Sequence, residues 1–236
     1  MNHIVILTGA GISAESGMGT FRDKDGLWTK VNLEDVATPE GFARDPKMVH
    51  DFYNQRRAGA RDAQPNEAHR ALARLQSEHS GTVTLITQNV DNLHEAGGSP
   101  NVIHMHGELL RALCSACGEQ WAWVEDMGLS DTCPACASLG TVRPDVVWFG
   151  EMPYHLERIA EAIEGATLFV AIGTSGNVYP AAGYVSKARM RGIPTVEINL
   201  EETEASRLFD HHVTGPATES VPRFVNAVLK GQLPNG

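Results

Sequence analysis

The chain has 236 residues, 42% of them hydrophobic and 20% charged, with a formal charge of -10. That length supports one substantial core carrying a small insertion, in an ordinary globular composition. The acidic balance argues against a nucleic-acid grip built on a basic surface, and no apolar run is long enough to cross a bilayer.

Met1-Asn2-His3 leads straight into Ile4-Val5-Ile6-Leu7 without a cationic leader or cleavage site. A buried strand over His3 to Thr8 is expected there, and a cytoplasmic location with it. The next residues, Gly9-Ala10-Gly11-Ile12-Ser13-Ala14, have the G-x-G-x-x-A form. In that form glycines let the backbone approach a pyrophosphate at a helix N-terminus, although a plain tight turn reads equally well. A hydride-transfer fold would continue with a helix, a second strand and an acidic residue about 20 positions on. Instead Gly19 to Trp28 is a polar, aromatic-tipped stretch suited to covering a ligand.

From Phe21 to about Pro65 there are short helix candidates and no clear strand. Tyr53 and Arg56 stand three apart and would share one helix face, with Tyr packed inward and Arg in solvent as the ordinary arrangement. Ala68, Ala71, Leu72 and Leu75 form a helical stripe, followed by a strand over Thr82 to Thr87. Beyond that strand lie Gln88-Asn89-Val90-Asp91. An amide and a carboxylate two positions apart can converge on one polar ligand, or can cap a helix. A strand over Asn101 to His104 then gives way to His106-Gly107. An imidazole titrates near neutrality, and on residue chemistry His104 and His106 are equal candidates for a general base.

All four cysteines follow, as Cys114-x-x-Cys117 and Cys133-x-x-Cys136. Each two-residue gap lets two thiolates face one tetrahedral metal, which is the spacing of a structural zinc site. Between the pairs lie Glu119, Glu125, Asp126 and Asp131 with no Lys or Arg, so this module is not expected to bind phosphate. Strands are predicted over Asp145 to Phe149, Thr167 to Gly173 and Pro194 to Leu200. Helices are predicted around Leu156, Ile159, Ala160 and Ile163 and over Val221 to Leu229. The predicted fold is α/β: an open, mostly parallel sheet with helices on both faces and a small lobe to one side.

The order of Gly9-Ala10-Gly11-Ile12-Ser13, Phe21-Arg22, Gly26-Leu27-Trp28, Thr87-Gln88-Asn89-Val90-Asp91, His106-Gly107, the cysteine tetrad, Gly173-Thr174-Ser175 and Ile198-Asn199 resembles that of the sirtuins. These are NAD-dependent protein-lysine deacylases, and the resemblance runs from Ile4 to Pro222. It implies a Rossmann-like NAD-binding domain over 1–27, 82–107 and 142–236, a helical insertion over 28–81 lining the acyl pocket, and a zinc module over 108–141.

The resemblance implies that NAD is consumed, giving nicotinamide, O-acyl-ADP-ribose and free lysine. It selects His106, just before glycine, as the base, with Asn89 and Asp91 holding the nicotinamide ribose and carboxamide. NAD contacts would come also from Gly9, Ala10, Gly11, Ser13, Phe21, Arg22, Trp28, Gln88, Val90, Gly173, Thr174 and Ser175. Asn199, Leu200, Glu201 and Ala217 would meet the adenosine side. Val147, Phe149 and Gly150, with Asn177 and Val178, resemble the segments that clasp an acyl-lysine peptide as an added strand. Tyr53-x-x-Arg56 and Ala37 are similar to the motif and small residue of the branch that removes succinyl and malonyl groups. The alternatives are a protein ADP-ribosyltransferase using the same cleavage and a non-catalytic NAD or ADP-ribose sensor. A monomer is expected.

Overall fold

In a computed structural model of the protein, residues 1–19, 31–176 and 178–233 are described. The chain opens with β1 (His3–Thr8), whose Ile4, Val5 and Ile6 are fully buried. A helix does not follow directly: two 3₁₀ turns, Ala10–Ile12 and Ala14–Ser16, stand where the glycine turn predicts a helix N-terminus. Next come α1 (Leu33–Val36), α2 (Pro39–Arg44), α3 (Pro46–Asp62) and α4 (Glu67–Glu78). Asn32, Thr38, Asp45 and Asn66 each accept a first-turn backbone N–H, and α2 and α3 begin on proline, so four start signals cut this stretch into separate helices.

The rest runs β2 (Thr82–Thr87), α5 (Leu93–Ala96), β3 (Val102–His104), β4 (Gly107–Cys114), β5 (Gln120–Ala122), β6 (Val142–Val146), α6 (Leu156–Glu164), β7 (Leu168–Ile172), α7 (Tyr184–Met190), β8 (Thr195–Asn199), β9 (His211–Thr214) and α8 (Ala217–Leu229). Six strands form one parallel sheet in the order β3-β2-β1-β7-β8-β9. Ile4, Ile6, Leu85 and Val170 face α4 and α8 on one side. On the other, Val5, Leu7, Ile86 and Phe169 face α6 and α7. Alternate residues of each strand therefore feed opposite cores, which is why these strands read as unbroken apolar runs.

The chain leaves β1 toward β2 on one side and reaches β7 on the other, so the strand order reverses between β1 and β7. Thr8 is in register with both Thr87 and Ile172, which brings the turns after three strands to one level. Open α/β sheets bind ligands at that point, outside the carboxyl ends of the strands.

A second sheet, β5-β4-β6, is antiparallel and carries the cysteines. The strand predicted over Asp145 to Phe149 lies earlier, at Val142–Val146, pairing with β4 rather than joining the main sheet. Beyond it Val147 N–H donates to the His106 carbonyl and Phe149 N–H to that of Ala37, both at 2.9 Å, so the chain turns across the helical insertion. The short or charge-interrupted strands β4, β5 and β9 were not predicted. Among the described residues no helix is long and apolar enough to cross a membrane.

Candidate active site

The glycine turn and the turn after β7 interlock. Gly11 N–H donates to the Gly173 carbonyl at 2.8 Å, and a Cβ on Gly11 would stand 2.7 Å from the Gly173 Cα. A Cβ on Gly9 would stand 2.8 Å from the Gly173 oxygen, and Gly173 itself has φ +62. The glycines here first serve backbone-to-backbone packing of two turns, a use that precedes any approach of a pyrophosphate. Gln88 donates to Thr174 Oγ1 at 2.9 Å, and Asn199 donates to the Thr174 carbonyl at 2.8 Å. These bonds tie the ends of β2, β7 and β8 into one rim. Ser175 is half-buried beside them, whereas Leu200 and Glu201 are exposed. Ala217 is buried with Ile12 at the start of α8, where Glu15 accepts from the Thr218 amide and hydroxyl. Ala10 is half-buried between these two contacts.

Beneath the rim lies a buried polar cluster. Asn89 Nδ2 donates to Ser13 Oγ at 3.1 Å, and His69 Nε2 lies 3.3 Å from the same oxygen. The Asn66 backbone N–H donates to His69 Nδ1, so the neutral ring carries its proton on Nε2 and donates it to Ser13. Ser13 Oγ thus receives two donors, which leaves its own proton free to donate. Asp91 accepts from the Leu93 amide at 3.1 Å, so it opens the short helix α5 as well as facing the cluster. Burial raises the Asp91 pKa, against the opposing pull of Leu93, Ser13, His104 and Arg56. Val90 gives its carbonyl to Leu109 N–H at 2.7 Å. His69 was not among the predicted site residues. Its one sequence signal is Asn66-x-x-His69, a capping box with histidine in place of Glu or Gln.

The two candidate bases separate cleanly. His104 is buried, with Nε2 2.8 Å from Glu95 and Nδ1 3.2 Å from the Asn89 carbonyl. Burial pushes its pKa down, but Glu95, Glu108 and the Asn89 carbonyl together outweigh it and the net shift is upward. Both of its ring nitrogens are thus already engaged by protein acceptors. His106 Nδ1 bonds the Gln88 carbonyl at 3.0 Å, which leaves Nε2 as the basic nitrogen. Burial lowers the His106 pKa, partly offset by that bond, so the ring is neutral at pH 7.

On α3, Tyr53 is buried and Arg56 half-buried on the same face, with the guanidinium carbon 5.8 Å from the phenol ring centre. Burial lowers the Arg56 pKa, against the opposing pull of Tyr53 and the Asp91 carboxylate. This corrects the ordinary expectation of an arginine in solvent. Ala37 is buried with Tyr53 and Trp148 in one apolar cluster. Val147 is half-buried, and Phe149, Gly150 and Val178 are exposed. Phe21, Arg22, Trp28 and Asn177 lie outside the described residues.

The four cysteine sulfurs lie within 4.8 Å of one another, with Cys114 to Cys136 at 3.8 Å and Cys117 to Cys133 at 3.6 Å. A tetrahedral zinc with Zn–S of about 2.3 Å has sulfur–sulfur edges of about 3.8 Å, so the set fits a structural zinc. The module is fastened to α3. Asn54 exchanges two bonds of 2.9 Å with the Met127 backbone, and Arg57, fully buried, donates to the Leu109 carbonyl.

The Sir2 family profile matches residues 9–180. The chain is 55% identical over 230 residues to the NAD-dependent protein deacylase of Bdellovibrio bacteriovorus, covering 97% of each. It is 56% identical over 232 residues to the NAD-dependent protein deacylase of Vibrio cholerae, covering 98% of this chain and 94% of that one. Among solved structures it is similar to a Sir2 homolog–NAD complex, with a TM-score of 0.89, 42% identity and coverage of 97% and 90%. A Sir2 structure bound to acetylated peptide gives a TM-score of 0.79, 29% identity and coverage of 97% and 92%.

Proposed function

This chain belongs to the Sir2 family and is an NAD-dependent protein deacylase, and we propose that it removes succinyl and malonyl as well as acetyl groups from lysine side chains. When bound, NAD supplies an electrophilic ribose carbon and a nicotinamide leaving group. With both substrates bound, the acyl carbonyl oxygen would attack that carbon as nicotinamide leaves, His106 Nε2 would take the proton of a ribose hydroxyl as that oxygen bonds the acyl carbon, and one water would be consumed as the amine is expelled. Free lysine, nicotinamide and O-acyl-ADP-ribose are the products.

Asn89 and Asp91 hold the nicotinamide ribose and carboxamide and Gln88 contacts the ribose, with Ser13, Phe21, Arg22 and Trp28 as further NAD contacts that the family resemblance implies. Gly9, Ala10, Gly11, Val90, Gly173, Thr174 and Ser175 border the ribose and phosphates. Asn199, Leu200, Glu201 and Ala217 border the adenosine. The donor set supports this assignment, because the rim carries hydroxyls and amides and the buried cluster of described residues below it carries the Asp91 carboxylate. The work divides among the sheet domain (1–27, 82–107 and 142–236), the helical insertion (28–81) and the zinc module (108–141). Acyl-lysine segments bind extended along Val147, Phe149, Gly150, Asn177 and Val178, by likeness to the Sir2 structure with an acetylated peptide.

The observation that carries the acyl choice is the half-buried Arg56 guanidinium, 5.8 Å from the Tyr53 ring centre on the same face of α3. A distal carboxylate gives it a charged bidentate acceptor that an acetyl methyl does not, a difference of about 1–3 kcal/mol. That magnitude sets a preference and leaves acetyl-lysine a substrate. The test is to weigh the products made from NAD with succinyl-, malonyl- and acetyl-lysine peptides. O-succinyl-ADP-ribose formed faster than its acetyl counterpart supports the reading. A heavier protein would point to ADP-ribosyl transfer, and unconsumed NAD to a sensor.

A further inference from the structure

Trp148 and Tyr53 are 95 positions apart, yet the indole Nε1–H donates to the phenol oxygen at 2.9 Å, with both side chains buried. An indole nitrogen only donates, so the phenol must accept here and its own proton has to find another acceptor. A buried donor left without one is costly. A carboxylate is acceptor-only and answers that need, whereas an acetyl methyl offers nothing.

Trp148 is itself held by three residues. The Arg143 guanidinium carbon stacks 3.6 Å from its ring centre, and Arg143 forms a two-pronged ion pair with Glu151 at 2.7 and 2.8 Å. Glu151 also accepts from the Trp148 backbone N–H at 2.8 Å. Phe42 packs against the indole with ring centres 5.3 Å apart. The Glu151–Arg143–Trp148 unit therefore acts on Tyr53 from a fixed position, in the segment that leads to the peptide-binding residues.

We propose that Trp148 is a specificity-determining positioning residue, whose N–H turns the Tyr53 phenol so that its proton is offered to the carboxylate of a succinyl or malonyl group. This rests on the carboxyl-acyl reading above. Trp148 acts through Tyr53, to which its indole donates.

The test is a cycle of Trp148→Phe, Tyr53→Phe and the double variant, with kcat and KM measured on succinyl- and acetyl-lysine peptides. Each single change should lower the succinyl-to-acetyl ratio of kcat/KM by roughly 5–10-fold, chiefly through the succinyl KM. The double variant should lose little more than Tyr53→Phe alone, because both act through one hydroxyl. Additive losses, or equal losses on both peptides, would overturn the proposal. A ratio changed by Tyr53→Phe but not by Trp148→Phe removes this inference alone. A ratio unmoved by Tyr53→Phe and by Arg56→Met removes the carboxyl-acyl reading beneath it. A measurement on the unaltered Trp148 covers the case in which Trp148→Phe does not fold. The Trp148 indole N–H resonance, identified by elimination with Trp28, Trp121 and Trp123 variants, should shift with succinyl-lysine peptide and hold still with acetyl-lysine peptide. Identical shifts with the two peptides overturn it as well.

Discussion

His106 Nδ1 donates to the carbonyl oxygen of Gln88 at 3.0 Å, across 18 positions of sequence. That bond orients the ring and leaves Nε2 with the lone pair. Because burial holds the pKa below the ordinary 6.5, the basic form already dominates at neutrality. The acid limb of kcat/KM should therefore lie below pH 6.5, with no histidine-type inflection between pH 7 and 8. His106→Ala should cost about 10²–10⁴ in rate. An acid limb centred above pH 7 would count against His106 as the base.

Arg56→Met keeps the length and apolar stem of the side chain and removes the charge. Desuccinylation should fall roughly tenfold or more beyond any fall in deacetylation. Comparing kcat/KM on the two peptides checks this, and equal losses would discard the carboxylate role.

The zinc module should carry one zinc per chain, measurable by elemental analysis of the purified protein. Cys133 is buried within the tetrad, and Cys133→Ser should lower both the metal content and the melting temperature. Desuccinylation should suffer too, because Asn54 and Arg57 fasten α3 to this module beside Tyr53 and Arg56. Full metal content in the variant would be the contrary result.

Two glycines should respond in opposite directions. A Cβ on Gly11 meets the Gly173 backbone at 2.7 Å, so Gly11→Ala should destabilise by about 1–3 kcal/mol. Gly59 lies inside α3 with nothing within 4 Å of its added Cβ, so Gly59→Ala should stabilise by about 0.5–1 kcal/mol. Thermal or denaturant melts of the two variants decide the point.

Local pattern was enough for much of the frame. β1 and β2 run over the predicted residues, and the stripes of α4, α6 and α8 face the core as their spacing demands. The cysteine pairs converge for the same reason, since two-residue spacing already points two sulfurs one way. β4 and β9 were illegible because each is partly exposed or carries charges, which breaks the apolar run that marks a buried strand. The glycine turn was legible as a turn, but not as a joint between two turns. Its partner, Gly173, comes from another strand.

The sequence by itself determined the parallel sheet, the metal tetrad and, through its resemblance, the family chemistry, because these depend on residue types at short spacing. Only the tertiary structure decided which imidazole keeps a free basic nitrogen, that the Ser13 hydroxyl meets both Asn89 and His69, and that an indole donates to the Tyr53 phenol. Those outcomes depend on where carbonyls and N–H groups from distant strands and helices arrive. Chain spacing does not encode such meetings; the folding of the two sheets and the helical insertion creates them.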